Sequence, residues 1–551
     1  MAIKRKEDDN IQEYAARLPN RKYGYFRDDQ ITFLVTHSDN QLADKQLQDF
    51  ATAINGKLEP VRNRLRGTMP RGIIEKTPEA ISFPKFTGAK LLRSKGLRLP
   101  KEHAGASEAF SIIKCELEGA PTNPDGLLDI IGELTKQFPP NQGSKQESVA
   151  GLTIQGSSPN WLTSAASQGG ATGGPGGKPS PYYGNRKTAP YYLNIITKLK
   201  NKKIYGDGEG VDVAILDTAP CAQDLVAAYK EWPDHPLIAT LLGPNGKLHL
   251  YPATYEELLR LTCTSLNDHD YKMSDHGLFI AGIIHSIVPK AEIHLIEVLN
   301  QYGVGDFASF IRGLLKVWAE IFKPDRLGVV NCSFMFEKPL HNNHCRHMDQ
   351  TGDPDAEFER AVLEFSKSEQ ATQLILEFLF NQLYGMGKQA IAAAGNDARA
   401  GDPGPTPARY PAALSSVQGV GAFPKTLDKL PTGKYRPSVF SNLSESPDQK
   451  GVVTKGIGTL GGEEGQGKGL LGLYLGEFPS GERNESKWAW WAGTSFAAPI
   501  LTGAVASILS RPGNNITKTQ DAIKKLSGKG VKIVIDAGAG KQEDALPVTQ
   551  G

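Results

Sequence analysis

The chain has 551 residues, 39% hydrophobic and 22% charged, which is enough apolar material for a sizeable core and too much length for one ordinary domain. Lys plus Arg (62) and Asp plus Glu (60) nearly cancel to a net charge of +2, so a chain built to coat nucleic acid is not expected, and neither is generic disorder. No run of about 18 apolar residues is present to span a bilayer.

Residues 1–27 are charged, lack the apolar stretch of a secretory signal, and are expected to be a flexible N-terminus. Residues 28–145 alternate short apolar runs with amphipathic ones. Ile31–Thr36 and Phe110–Cys115 predict strands, because β-branched and aromatic residues dominate them. The spacing of Leu42, Leu47, Phe50, Ala51 and Ile54 predicts a helix, and Leu127 to Phe138 another. That order predicts a small α+β domain. Within it, residues 60–101 hold eleven Lys or Arg and only Glu75 and Glu79 as acids. A solvated basic loop is the plain reading. A docking site for an activating protein partner is the functional one.

Residues 146–200 are rich in Gly, Pro and Ser, above all in Gln168–Gly177, and predict a tether. From 201 to 551 the pattern is α/β. Short apolar runs at Val211–Leu216, Ile293–Leu299, Leu327–Ser333, Ala390–Ala394 and Val417–Val420 alternate with helical patterns at Gly277–Ile287, Phe307–Ile321 and Ala371–Tyr384. Strands alternating with helices predict a mostly parallel sheet covered on both faces, with chemistry at the carboxyl ends of the strands. Extra sequence near 220–270, with a helix expected at Thr254–Leu261, and near 338–370 reads as insertions.

Four polar residues stand at such ends. Asp217 follows Val211–Leu216, His276 opens an apolar helix, Ser495 opens another (Gly493–Leu509), and Asn396 follows Ile391–Gly395. Together they supply a nucleophile, a base, a carboxylate to orient the base, and an amide donor for a developing oxyanion. Each alone reads as a cap, turn or core residue; the set points to acyl transfer.

The segments Gly493-Thr-Ser-Phe-Ala-Ala-Pro499, His276-Gly-Leu-Phe-Ile-Ala-Gly282 and Ala394-Gly-Asn396, in the chain order Asp, His, Ser, resemble the subtilases, the subtilisin-like serine proteases. The resemblance covers about residues 205–527. It implies a subtilisin-like parallel sheet and a serine endopeptidase that cuts proteins or peptides. Asp217, His276 and Ser495 would be the triad and Asn396 the oxyanion donor, with no organic cofactor required. It further implies that Ser333, Phe334 and Met335, with Ala394 and Gly395, bind substrate. Met335 stands where the family has glycine, which predicts a reshaped specificity pocket. Thr218-Ala219, Leu278 and Phe496 are further departures. Family members carry an α+β prodomain that blocks the cleft, so a zymogen that processes itself is expected. The alternatives are a partner-activated protease and a catalytically weak peptide binder on the same scaffold. Structural calcium is known in the family, but no loop presents a recognisable carboxylate set. His341, His344, Cys345 and His347 are the residue types zinc takes, in a spacing that fits no zinc pattern, and read as a polar loop. Cys115, Cys221, Cys263, Cys332 and Cys345 are irregularly spaced and predict reduced thiols and a cytoplasmic location.

Overall fold

The structure, a computed structural model, describes residues 26–39, 41–64, 73–74, 77–82, 109–118, 126–138, 148–165, 178–253 (except 192 and 194), 273–336 (except 324 and 325), 373–398 (except 374), 408–425, 436–442, 456–463, 467–527 and 534–536. The expected flexible residues 1–25, most of the basic segment 60–101, the helix at Thr254–Leu261 and the insertion 338–370 lie outside the described residues.

In the N-terminal unit, β1 (Phe26–His37) is followed by α1 (Asp44–Arg64), whose Leu47, Phe50, Ala51, Ile54 and Leu58 form one buried stripe. The short strand β2 (Glu79–Ser82), β3 (Ala109–Glu118) and α2 (Gly126–Gln137) come next, α2 burying Leu127, Ile130, Ile131 and Leu134. The last strand is β4 (Leu152–Ala165). The antiparallel order is β4-β1-β3-β2. Helical and two-residue periodicities therefore converge on one core, in which Phe33 meets Phe50 edge to face at 5.3 Å between centroids. The expected α+β domain is present.

The second unit is built on β5 (Val211–Asp217), β6 (Leu248–Tyr251), β7 (Glu292–Glu297), β9 (Leu327–Cys332), β11 (Ala390–Ala393), β12 (Gln418–Phe423), β13 (Gly456–Leu460) and β16 (Val534–Asp536). Their sheet order is β16-β13-β12-β11-β9-β5-β7-β6, parallel throughout except for β16 on β13. Continuous apolar runs rather than alternating ones mark these strands because both faces are covered. On one face lie α3 (His276–Ile287) and α5 (Thr494–Leu509), packed on each other. All sixteen residues of α5 are buried. Its small residues make that approach feasible: a Cβ on Gly503 would stand 2.8 Å from Ile287. Pro499 is the sixth residue of α5, and the Ser495 carbonyl that its missing N–H leaves free accepts the Ser333 hydroxyl instead.

Two short strands flank the carboxyl ends of the sheet, β8 (Val304–Asp306), which leads into α4 (Phe307–Lys316), and β10 (Phe334–Phe336). The hairpin β14 (Leu470–Leu473) with β15 (Trp488–Trp491) is extended by Ser180–Pro181.

One expectation is corrected. Residues 146–200 are not a single tether. Ser148–Val149 pairs with the start of β4, β4 fills 152–165, and Ile195–Asn201 is a helix. The glycine run 168–177 lies outside the described residues. After Gln155, β4 reads Gly-Ser-Ser-Pro-Asn, which carries no apolar alternation. It is a strand because partners flank it, not because of propensity.

Candidate active site

Asp217 is the last residue of β5, the strand near the middle of the sheet, and His276 is the first of α3. The two are brought together by the intervening Thr218. Its hydroxyl donates to the carbonyls of Met273 and Ser274, each at 3.1 Å, and accepts the Gly277 N–H at 3.1 Å. A Cβ on Gly277 would stand 2.2 Å from the Thr218 carbonyl oxygen, so glycine is what allows α3 to start this close to β5. The result is a fully buried pair, with His276 Nδ1 2.7 Å from Asp217 Oδ1, which also accepts the Thr218 N–H at 2.7 Å. His276 Nε2 is buried and has no hydrogen-bond partner among the described residues. An imidazole that donates from Nδ1 carries its lone pair on Nε2, so this nitrogen is a ready proton acceptor.

The ring is held from other sides by Trp491, edge to face at 5.4 Å, and by Phe496 at 5.3 Å between centroids. Phe496 and Trp491 also pack on Phe279. The bulky departure at 496 thus forms one wall of the imidazole's socket, with Trp491 as the other.

Ser495 lies in the first turn of α5 with no exposed surface. Its hydroxyl donates to the Ser333 carbonyl at 3.1 Å rather than to His276. The Ser333 hydroxyl donates back to the Ser495 carbonyl at 2.9 Å and accepts from Asn331, which is tied in turn to Thr502 of α5. Ser333 therefore locks the start of α5 to the β9–β10 edge.

Asn396 follows β11 through Ala394 and Gly395. Its side-chain oxygen accepts both the N–H and the hydroxyl of Thr494 at 3.0 Å, while Gly395 N donates to the Thr494 hydroxyl at 3.2 Å. Those contacts fix which end of the amide faces the site. The remaining Nδ2 is buried with no partner among the described residues, a donor already desolvated and aimed. Gly395 has φ +111°, and a Cβ there would meet Asn442 Nδ2 at 2.6 Å. Asn442 in turn accepts from the N–H groups of Asp397 and Ala398.

The structure thus joins Asp217 to His276, and it places Ser495, Ser333, Thr494, Gly395 and Asn396 in one hydrogen-bonded neighbourhood. Ala394 donates its N–H to Val420, inside the sheet. Phe334 and Met335 form the wall strand β10, both fully buried. His341, His344, Cys345 and His347 lie outside the described residues.

Three features were not anticipated. Thr494, already inside the Gly-Thr-Ser motif, orients the asparagine amide. Asp275 anchors the loop after β14 by accepting the N–H groups of Leu475 and Gly476 at 2.7 and 2.6 Å, and burial pushes its carboxyl upward against those bonds. The third is β4. Its residues 162–164 pair with Asp306–Val304 of β8, and 163–165 pair with Phe336–Phe334 of β10, both antiparallel. The end of the N-terminal unit lies as a third strand between the two cleft strands. The Cys332 thiol, one residue from Ser333, is pushed far above the usual thiol range by burial and then by the Asp217 carboxylate, so it is an inert neighbour.

A parallel sheet of this order, with Asp, His and Ser at strand and helix ends, is the arrangement that the subtilase class defines. The Peptidase S8, or subtilase, family model matches residues 208–529, and the chain belongs to that family. The minor extracellular protease Epr of Bacillus subtilis (strain 168) is 30% identical over 156 residues, 27% of this chain and 18% of that protein, so this chain matches less than a fifth of that relative's length. The solved structure of the prenylagaramide maturation protease PagA is 20% identical, with 60% of this chain and 87% of that one covered, at a TM-score of 0.32.

Proposed function

We propose that this chain is a serine endopeptidase held as a zymogen by its N-terminal unit. The observation that carries the reading is the buried Asp217–His276 pair at 2.7 Å whose Nε2 is left unpaired beside the Ser495 helix. Ser495 attacks the scissile carbonyl carbon. His276 takes the hydroxyl proton at Nε2 and returns it to the leaving amine, while Asp217 holds the Nδ1–H tautomer and stabilises the imidazolium. Asn396 Nδ2 and the Ser495 N–H at the start of α5 face the oxyanion, and the helix N-terminus adds positive potential there. Water then hydrolyses the acyl-enzyme, with His276 as base.

The zymogen reading is supported by β4, which occupies the groove between β8 and β10 that an extended substrate would use. Ser333, Phe334 and Met335, with Ala394 and Gly395, then serve as substrate-binding residues. The free thiols Cys115, Cys221 and Cys332 support a reducing, cytoplasmic setting. The one observation favouring a peptide binder is that the Ser495 hydroxyl bonds to the Ser333 carbonyl and not to His276. A fluorophosphonate separates the two, because it reacts only with an activated serine. Labelling at Ser495 that vanishes in Ser495→Ala and His276→Ala supports the endopeptidase. A full-length chain that stays unlabelled before and after removal of the N-terminal unit is a binder.

A further inference from the structure

Asp397, the residue after Asn396, is bound by a side chain that takes no part in the chemistry above. Arg409 donates to it twice, from Nε to Oδ2 at 2.8 Å and from Nη2 to Oδ1 at 2.6 Å, and Asn442 Nδ2 donates to the same Oδ2 at 2.7 Å. Both members of the pair are buried, Arg409 at 9% and Asp397 at 6% exposure. Burying two charges costs desolvation that packed apolar residues would avoid, so stability alone does not account for the pair.

Backbone bonds fix where the pair lies. The Arg409 N–H donates to the Ala394 carbonyl at 2.9 Å, and the Tyr410 carbonyl accepts the Phe336 N–H at 2.9 Å. Arg409–Tyr410 therefore spans the gap between Ala394–Gly395 and β10, the two segments assigned above to the substrate. The arginine stem lies on the side of Gly395 where a side chain would stand. A Cβ there would come within 3.2 Å of Arg409 Cγ, as well as within 2.6 Å of Asn442 Nδ2.

Resting on the endopeptidase reading above, we infer that the Asp397–Arg409 pair is the floor of the pocket for the residue on the acyl side of the scissile bond. The pair thereby sets the substrate class: bonds that follow a short, uncharged residue. A long side chain entering between Ala394–Gly395 and β10 has to push the guanidinium off Asp397, leaving a buried carboxylate without the charge that neutralises it. An acidic side chain meets Asp397, and two carboxylates sharing a buried site do not both stay charged. A basic one meets the guanidinium. Methyl and hydroxymethyl groups reach neither charge and displace nothing. The pair acts on the substrate side chain and leaves the triad untouched.

The test is the rate at which Ser495 of the full-length protein, as isolated and after prolonged incubation, is modified by peptidyl diphenyl phosphonates. These differ only in the acyl-side residue, an alanine, phenylalanine, glutamate or lysine analogue. Intact mass reads each adduct, formed as Ser495 Oγ displaces one phenoxide from phosphorus. The alanine probe should react faster than each of the other three by roughly tenfold or more. Asp397→Asn combined with Arg409→Ala removes both charges and still offers Asn442 an acceptor. In that double variant the preference for alanine over phenylalanine should fall by about tenfold or more. Should it not fold, Arg409→Lys, which keeps the charge and shortens the floor, should narrow the same preference. An alanine probe no faster than any other in the unsubstituted chain overturns the inference, whether or not the double variant folds. So does a variant in which all four rates fall by one factor, since the pair then only braces Asn396. A Ser495 that takes an alkyl fluorophosphonate and none of the peptidyl probes overturns it too, and all three results spare the endopeptidase. A chain that takes neither kind of reagent removes the endopeptidase and the inference with it.

Discussion

Thr494 shows how much of the site depends on a residue that does no chemistry. Its N–H and hydroxyl both donate to the Asn396 carbonyl oxygen, and its hydroxyl accepts from Gly395. Without the hydroxyl the amide keeps one tether of two, and Nδ2 is held less firmly where the proposed reaction needs a donor. Asn396→Ala should lower kcat by on the order of 10² to 10³ with little change in KM. Thr494→Val, which removes only a positioning contact, should lower it by about tenfold. Steady-state kinetics on the cut enzyme checks both, and an equal loss in the two variants would mean that Thr494 does more than orient. Gly277 has a steric role: any Cβ strikes the Thr218 carbonyl at 2.2 Å, so Gly277→Ala should destabilise the protein by about 1–3 kcal/mol. Thermal unfolding measures it. At this scale the sequence was most legible. Asp217, His276, Ser495 and Asn396 stand in short motifs whose spacing survives in one dimension. Thr494 was visible in the same motif but not its role, because the amide it orients lies 98 residues away. Asp275 stayed hidden for the same reason, its partners lying 200 and 201 residues on.

At the scale of elements, β4 is the instructive case. Its residues 153–161 pair with β1 and its last four residues with β8 and β10, so one strand belongs to two units. The parallel strands around it were legible as apolar runs because burial on both faces demands them. β4 is also buried along almost its whole length, yet it uses Gly, Ser, Pro and Asn, since the groove it fills is narrow and offers hydrogen bonds. Composition therefore read it as a tether. Two contacts beside it hold the units together. Asn160 of β4 accepts the Ala308 N–H at the start of α4 at 3.0 Å, and Glu79 of β2 accepts from Arg312 of α4, with Nε at 3.1 Å. Burial raises the Glu79 pKa, but the Arg312 bond and charge and then Lys114 outweigh it, so the carboxyl sits below its usual range. A lowered folded-state pKa means stability that is present above the unfolded-state pKa and is lost as pH falls through the folded-state value. The window is therefore below about pH 4, the ordinary carboxylate range. In a Ser495→Ala background, the unfolding temperature should fall more steeply between pH 5 and 3 (roughly the window just named) with Glu79 present than in Glu79→Gln. Parallel curves would assign the acid sensitivity to other carboxylates.

For the whole molecule, the proposed zymogen depends on how far solvent and substrate reach the site. Asp217, His276 and Ser495 have no solvent-exposed surface while β4 is in place. The order of the chain, α+β unit, glycine-rich stretch, α/β unit, could be read from composition and periodicity. What could not be read was that the first unit reaches into the second, because strand addition is decided by the edges β8 and β10 and leaves no local pattern. In the proposed zymogen, severing the chain after β4 would not by itself open the groove. The N-terminal unit buries Phe33, Phe50, Ile113 and Leu134, and its Asn160 and Glu79 would still meet α4 once the bond was broken. Such a cut would make its departure reversible and concentration-dependent, since an intramolecular ligand would have become a separate one. Activity on a synthetic peptide with the sequence Leu162–Gln168 should therefore lag behind the cut rather than coincide with it. The lag should shorten on dilution and when Asn160→Ala or Arg312→Ala weakens the grip, and adding back the separated N-terminal unit should restore inhibition. Following peptide hydrolysis and intact mass in one sample separates the two events. If activity rose in step with cleavage at every protein concentration, the groove would be emptied by the cut alone, and the contacts at Asn160 and Glu79 would have no part in restraining the enzyme.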